Sequence, residues 1–316
     1  MFVLIEKPFV AGKLHAILSA RFPGESFQYL LVQPFGWPFV FDYPANLAWQ
    51  DYPFWSPAQY KLNPSTQWQV FLESGTPVRK FGDYAGLKPQ RVLAFPDSSR
   101  SSVLAAERLV SHLQALGKVE VLEGYCPLVS LDGLLVQRAI DKPMSDARVA
   151  AACAEGQLKA NFEFSFLVNA SGILTRSYHA VGGQVANPVF SKYTVQALYA
   201  LRAAGSLKEG MFIHSKLYMW SGTGRYAPHT TTLGSMASRG VFVGTLLELG
   251  LAAREQEQLS ITPLGRAFLD QLHPDCEDPD LPFRIEEWMR DPVAGELKAQ
   301  RYIRTWFGKQ KRFSAS

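Results

Sequence analysis

Cysteine is scarce in this chain. Cys126, Cys153 and Cys276 stand far apart, with no CxxC or Cys/His spacing. That argues against a zinc site and against a disulfide framework, and it leaves reduced, buried thiols as the expectation. Long apolar runs are missing too. No stretch reaches about 18 uninterrupted apolar residues, so neither a membrane-spanning helix nor a membrane partner is expected. The amino terminus, MFVLIEKPFVAGKL, holds an acid and a proline inside its apolar part and has no positively charged lead. It therefore reads as a first strand and not as a signal peptide, which implies a cytoplasmic protein. Internal repeats and low-complexity tracts are absent. With 47% hydrophobic and 19% charged residues, the composition describes an ordered chain with little room for disordered tails.

What is present suggests two domains, since 316 residues exceed one average core. Short apolar runs bounded by turn formers, FVLI at the start, FQYLLVQ from Phe27 and RVLAF from Arg91, have the look of buried strands. Between them AGKLHAILSARF and SSVLAAERLVSHLQALG have helical spacing. The second opens on serines suited to cap it and closes on Gly117. KVEVLEGY follows as another strand. The alternation predicts an α/β domain over residues 1–128, with a parallel or mixed sheet whose ligands bind beyond the carboxyl ends of the strands. Residues 34–70, rich in Pro, Trp, Tyr and Phe, read as a rigid insertion whose aromatics demand burial. Residues 129–316 are mainly helical. A helix, a β-like excursion at Gln258 to Ile261 and another helix suggest a winged-helix-like unit, a fold often used on nucleic acid.

Two groups of residues could carry chemistry. The first strand ends in Glu6-Lys7-Pro8 and the third strand ends near Asp97, so neighbouring strands would put two carboxylates and an ammonium in one crevice, a set suited to magnesium or a phosphodiester. Near the end of the chain, Lys298, Arg301, Arg304, Lys309, Lys311 and Arg312 are interleaved with Tyr302, Trp306 and Phe307. That is the composition of a surface that grips phosphates and stacks bases. The net charge of +4 is too small to demonstrate a polyanionic partner, so its placement matters more.

FVLIEKPFVAGKLHAIL resembles the opening of the toprim domain of type IA DNA topoisomerases, of the topoisomerase III kind. The similarity continues in order. LLVQPFGWPFVF resembles the family's strand and Gly-His segment, with Gly36 kept and Trp37 in place of the histidine, while WQDYPFWSP and STQW resemble its Trp and Leu-Pro landmarks. KANFEFSFLVNASGILTR resembles the Arg-x-x-x-Asp-Trp-Leu-x-Gly-x-Asn-x-Thr-Arg helix, with Lys159, Glu163, Phe164 and Asn169 matching in kind. HAVGGQVANPVF resembles the Val-Gly-Arg turn. HTTTLGSMASRGVFVGTLLELGLA and LSITPLGRAFLDQLHP resemble the helical region at the end.

The resemblance also exposes losses. The family's Asp-x-Asp-x-x-Gly-Glu turn becomes DSSRSSV: Asp97 stands at the first acid, Ser99 at the second, Ser102 at the glycine and Val103 at the glutamate. Glu6 and Asp97 are then the implied metal ligands, and two acids should hold magnesium poorly. The family's arginines fall on Gly172 and Gly183, and a glycine cannot replace a guanidinium fork. The nucleophile would be Tyr218, in KLYMWSGTGR, with Glu6, Lys7 and Asp97 near the phosphate. Only about 40 residues, 192–229, stand where the family has its gate, too few to fold into domains and surround a duplex.

The expectation is a reduced, degenerate relative that binds DNA, preferably single-stranded, as an accessory to the DNA processing of a mobile element such as a plasmid. Arg100, Lys159, Asn169, Arg176, Lys192, Arg239, Arg301, Arg304 and Trp306 would be its DNA contacts. Two other readings compete with it. One is a magnesium-dependent nicking and rejoining enzyme using Tyr218, and the other is a scaffold whose aromatic insertion binds a protein partner.

Overall fold

The computed structural model describes residues 1–32, 39–41, 44, 47–55, 60–62, 68–71, 77–81, 87–210, 223–227 and 236–314. The chain divides into two compact units, one of Met1–Asp42 and Gln59–Gln157, the other of Tyr43–Ala58 and Leu158–Ser316.

Unit 1 is built on a six-stranded sheet. Its chain order is β1 (Phe2–Ile5), α1 (Val10–Arg21), β2 (Gln28–Leu31), the short β3 (Phe39–Phe41) and β4 (Tyr60–Leu62), β5 (Trp68–Phe71), β6 (Pro77–Phe81), β7 (Gln90–Phe95), α2 (Arg100–Ala115), β8 (Val119–Tyr125) and α3 (Gly133–Asp141). Across the sheet the order is β6-β5-β2-β1-β7-β8, and β3 pairs with β4 separately. The four strands β2, β1, β7 and β8 run parallel, while β5 and β6 add an antiparallel edge. The sheet is thus mixed. Alternation along β1 explains the layering: Phe2 and Leu4 join Val92, Ala94 and the buried side of α2, whereas Val3 and Ile5 join Leu93, Phe95, α1 and α3. A strand with both faces covered must be apolar throughout, and β1 is.

The helix α4 (Asp146–Ala180) runs for 35 residues, and the division between the units falls inside it, after Gln157. The boundary expected after residue 128 thus lies about thirty residues earlier than the observed one. The reason is burial. Val136 and Ile140 of α3 and Val149 of α4 lie in the two cores of the sheet, so these helices finish the α/β layers before the chain leaves them.

Unit 2 continues with α5 (Lys192–Ala204), β9 (Ser206–Lys208), α6 (Met236–Glu248), the hairpin β10 (Ala252–Glu255) and β11 (Gln258–Ile261), α7 (Pro263–Asp270), α8 (Leu281–Met289) and α9 (Pro292–Phe313). The hairpin and β9 form a three-stranded antiparallel sheet in the order β10-β11-β9. One apolar cluster joins the later turns of α4 to α5 through α9, with Phe162, Phe166, Leu198, Phe268 and Phe307 at its centre. The 43–58 part of the aromatic insertion belongs to this unit, where Trp49, Tyr52 and Trp55 pack on the same cluster. Among the described residues no helix is long and apolar enough to cross a membrane.

Candidate functional site

In unit 1 the register sets Ile5 beside Phe95, so the residues that follow β1 and β7 emerge side by side at the carboxyl edge of the parallel strands. Glu6 and Asp97 are those residues, and their side chains are hydrogen-bonded to each other. Burial, followed by that bond to a second acid, pushes the Glu6 carboxyl from its ordinary value of 4.5 up to about 7. A carboxyl that is partly buried beside a second acid ionises reluctantly, so Glu6 keeps its proton to higher pH. Lys7 is exposed beside them.

The serines of the neighbouring turn have structural employment. Ser99 caps α2, accepting the Ser102 backbone N–H at 3.2 Å, and its hydroxyl donates to Ser102 Oγ at 3.1 Å. Ser102 in turn donates to Glu6 Oε1. Val103, where the resemblance would have a third acid, is only 2% exposed and sits in the core beneath α2. A carboxylate there would lose its hydration without compensation. No group of three or more His, Cys, Asp or Glu suited to a metal occurs among the described residues. Two carboxyls, one of them Glu6 with its raised value, and hydroxyls already committed to a helix cap make a poor donor set for magnesium.

Unit 2 carries a cationic face. On α9 the residues 301, 304, 308 and 311 fall on one stripe of the helix. Arg301, Arg304 and the adjacent Arg312 are exposed, and no ion pair involves them among the described residues. Lys311 donates to the Tyr52 carbonyl at 2.7 Å and lies 5.3 Å from the centroid of the Trp49 ring. Arg176 on α4 sits over the same ring at 4.9 Å. Trp49 is therefore a half-exposed indole held between cations from two helices.

The segment bearing it is tethered from below. Asn169, fully buried, accepts the Phe54 backbone N–H at 2.7 Å and donates to the Phe54 carbonyl at 2.8 Å and to the Ser165 carbonyl at 2.6 Å. Gly172 lies under Tyr52, so closely that a Cβ would overlap the phenol ring, and a Cβ at Gly183 would overlap the Tyr178 ring. Aromatic rings occupy the space that arginine side chains would need at both positions.

Several expected contacts are placed elsewhere. Trp306 is 4% exposed and packs on Phe166 and Phe307, with centroids 5.3 and 4.4 Å away, so its ring belongs to the core and not to a base-stacking surface. Lys192 is 5% exposed and bonds Glu163 at 2.7 Å. Burial works to raise the Glu163 carboxyl, but the charges of Lys192 and Lys159 outweigh it and hold the group below its ordinary value. Lys192 and Asn169 are therefore interior residues that organise their surroundings, and Lys159 is a half-buried neighbour of that pair. Arg100, in unit 1, is ion-paired to Glu155. Arg225, the next arginine after Tyr218 in the sequence, bonds Glu287 at 2.8 Å. Tyr218, Gly36 and Trp37, like the Arg239 side chain, lie outside the described residues.

Sequence reasoning named Arg176 and Lys311 but missed that both lie against Trp49, because cation–π contacts join residues more than a hundred positions apart. The signal available was the aromatic excess of residues 34–70. Against known proteins, no family model and no curated sequence matches the chain.

Proposed function

We propose that this protein binds single-stranded DNA on the cationic face of unit 2, and that it is a reduced relative of type IA topoisomerases in which the toprim-like acid site is impaired. The observation that carries the reading is the stripe of Arg301, Arg304 and Arg312 on α9, next to Trp49 with Arg176 and Lys311. Exposed guanidinium groups without a carboxylate partner suit phosphates, and an arginine over an indole keeps its fork available to a strand. Single strands suit such a face because stacking and backbone contact need no groove readout.

Two features of the fold support the kinship. Glu6 and Asp97 stand at the ends of adjacent parallel strands, as the resemblance requires of a toprim domain. In unit 2 the succession α5, β9, α6, β10, β11, with sheet order β10-β11-β9, fits a winged-helix unit in which the hairpin is the wing. In a cell this activity would serve the DNA processing of a mobile element. The test is fluorescence anisotropy with a labelled oligo-dT strand and its duplex. Tighter binding of the single strand, weakened by Arg301→Ala and Arg304→Ala together, is the expected result. Equal affinity for the duplex, or binding that the double variant does not weaken, would overturn the reading.

A second reading draws on Glu6, whose proton comes off near neutrality, as a general acid or base should. It makes the protein a nicking and rejoining enzyme using Tyr218. It requires a detergent-stable protein–DNA adduct in the presence of magnesium that disappears in Tyr218→Phe.

A further inference from the structure

Unit 1 has a cleft of about 500 Å³ beside its sheet, whose lining does not include Glu6 or Asp97. The volume lies within the roughly 300–1,000 Å³ of small-molecule sites. Its walls come from Ser98, Arg100 and Val103 at the start of α2, Pro127 and Val129 after β8, Ala139 and Lys142 at the end of α3, and the first turns of α4. It opens beyond the carboxyl ends of β7 and β8, the side of an α/β sheet where ligands bind.

The lining is unbalanced in charge. Arg100, Lys142 and Arg148 face one carboxylate, Glu155, and Arg100 is already paired with it. Lys142 and Arg148 are exposed, and no ion pair or hydrogen bond of their side chains occurs among the described residues. Two exposed cations lining one cleft raise the positive potential there and favour an anionic ligand. Apart from Ser98 the rest of the lining, Val103, Pro127, Met144 and Ala152 among it, is apolar, so the preferred ligand has an anionic end and a poorly hydrated body. The cleft is too large for phosphate alone. The amino end of α2, a 16-residue helix, adds its positive dipole end to the same wall.

We infer that this cleft binds a nucleoside 5′-monophosphate unit, with the phosphate held by Lys142 and Arg148 and the base against Met144 and Pro127. The unit could arrive as a free nucleotide or as the 5′-phosphorylated end of a DNA strand. The cleft and the cationic face of unit 2 use different residues, so the inference can stand if the reading of unit 2 fails.

The experiment is a calorimetric titration of the full chain with dTMP, thymidine and inorganic phosphate. A saturable dTMP isotherm is expected, with thymidine and phosphate each weaker by about tenfold or more, as the loss of a charge-assisted contact or of the apolar body requires. Arg148→Ala with Lys142→Ala should weaken dTMP by a similar factor, and Ala151→Glu, which sets a carboxylate at the exposed rim, should do so without removing any contact of the fold. Arg301→Ala with Arg304→Ala should leave dTMP binding unchanged while lowering affinity for DNA. An oligo-dT strand with and without a 5′-phosphate then distinguishes the source. A gain from the 5′-phosphate that vanishes in Arg148→Ala assigns the strand end, and dTMP binding without such a gain assigns the free nucleotide. No dTMP isotherm, equal binding of thymidine, or indifference to Arg148 and Ala151 would overturn the proposal.

Discussion

Glu6 gives the most direct residue-level test of the acid pair. Its folded value of about 7 lies above the ordinary 4.5, so the folded state holds the proton more tightly than the unfolded one. This contribution to stability is complete below pH 4.5 and is lost as the pH rises through about 7. Glu6→Gln keeps the oxygen that Ser102 needs and removes the titration. Thermal midpoints measured from pH 4 to 9 should fall less steeply in the variant between these values, and the variant should be the more stable protein above pH 7. Parallel curves would contradict the raised Glu6 value. Trp306 and Arg304, two positions apart on α9, make a second contrast. Trp306→Ala opens the aromatic core of unit 2 and should cost about 3–5 kcal/mol, whereas exposed Arg304→Ala should change stability by no more than about 0.5 kcal/mol. Denaturant unfolding of both variants checks this. The sequence showed that these residues alternate with basic ones, but not which of them face inward. On a helix that depends on a few degrees of rotation, and only the packing of α9 against Phe166 fixes it.

At the scale of elements, strands and helices with strong periodicity were legible: β1, α1, β7, α2, β8 and the hairpin strand β11 fall where apolar spacing and capping serines put them. The division of the chain was not. A 35-residue helix carries no break in its own pattern where its partners change. Nor could sequence alone explain the two glycines that stand where the resemblance has arginines. In the structure Tyr52 and Tyr178 fill those spaces, so each glycine is part of an aromatic contact as well as the loss of a charge. Gly172→Ala should therefore push Tyr52 away, lower the thermal midpoint and loosen the Trp49 segment. Adding Tyr52→Ala should recover part of that loss, because the overlap disappears with the ring. A double-mutant cycle reads the coupling directly, and strictly additive effects would contradict the contact. Asn169→Ala acts on the same tether by orphaning both polar groups of Phe54, at about 1–3 kcal/mol for each buried group left unpaired.

For the whole molecule, a net charge of +4 is modest, and the placement of the cations matters more than their sum. Lys192 and Arg100 are committed to Glu163 and Glu155, while Arg301, Arg304 and Arg312 remain at the surface of unit 2 without such partners among the described residues. On the proposed reading this second group grips a DNA backbone. The deciding measurement is the affinity for a labelled oligo-dT strand as salt is raised, for the native chain and for Arg301→Ala, Arg304→Ala and Arg312→Ala combined. Counterion release gives single strands a slope of about −0.7 in log affinity against log salt for each phosphate neutralised. The native chain should show a steep slope, and the triple variant a slope shallower by about two with its thermal midpoint unchanged. Native binding that ignores salt, or a triple variant with the native slope, would contradict the claim.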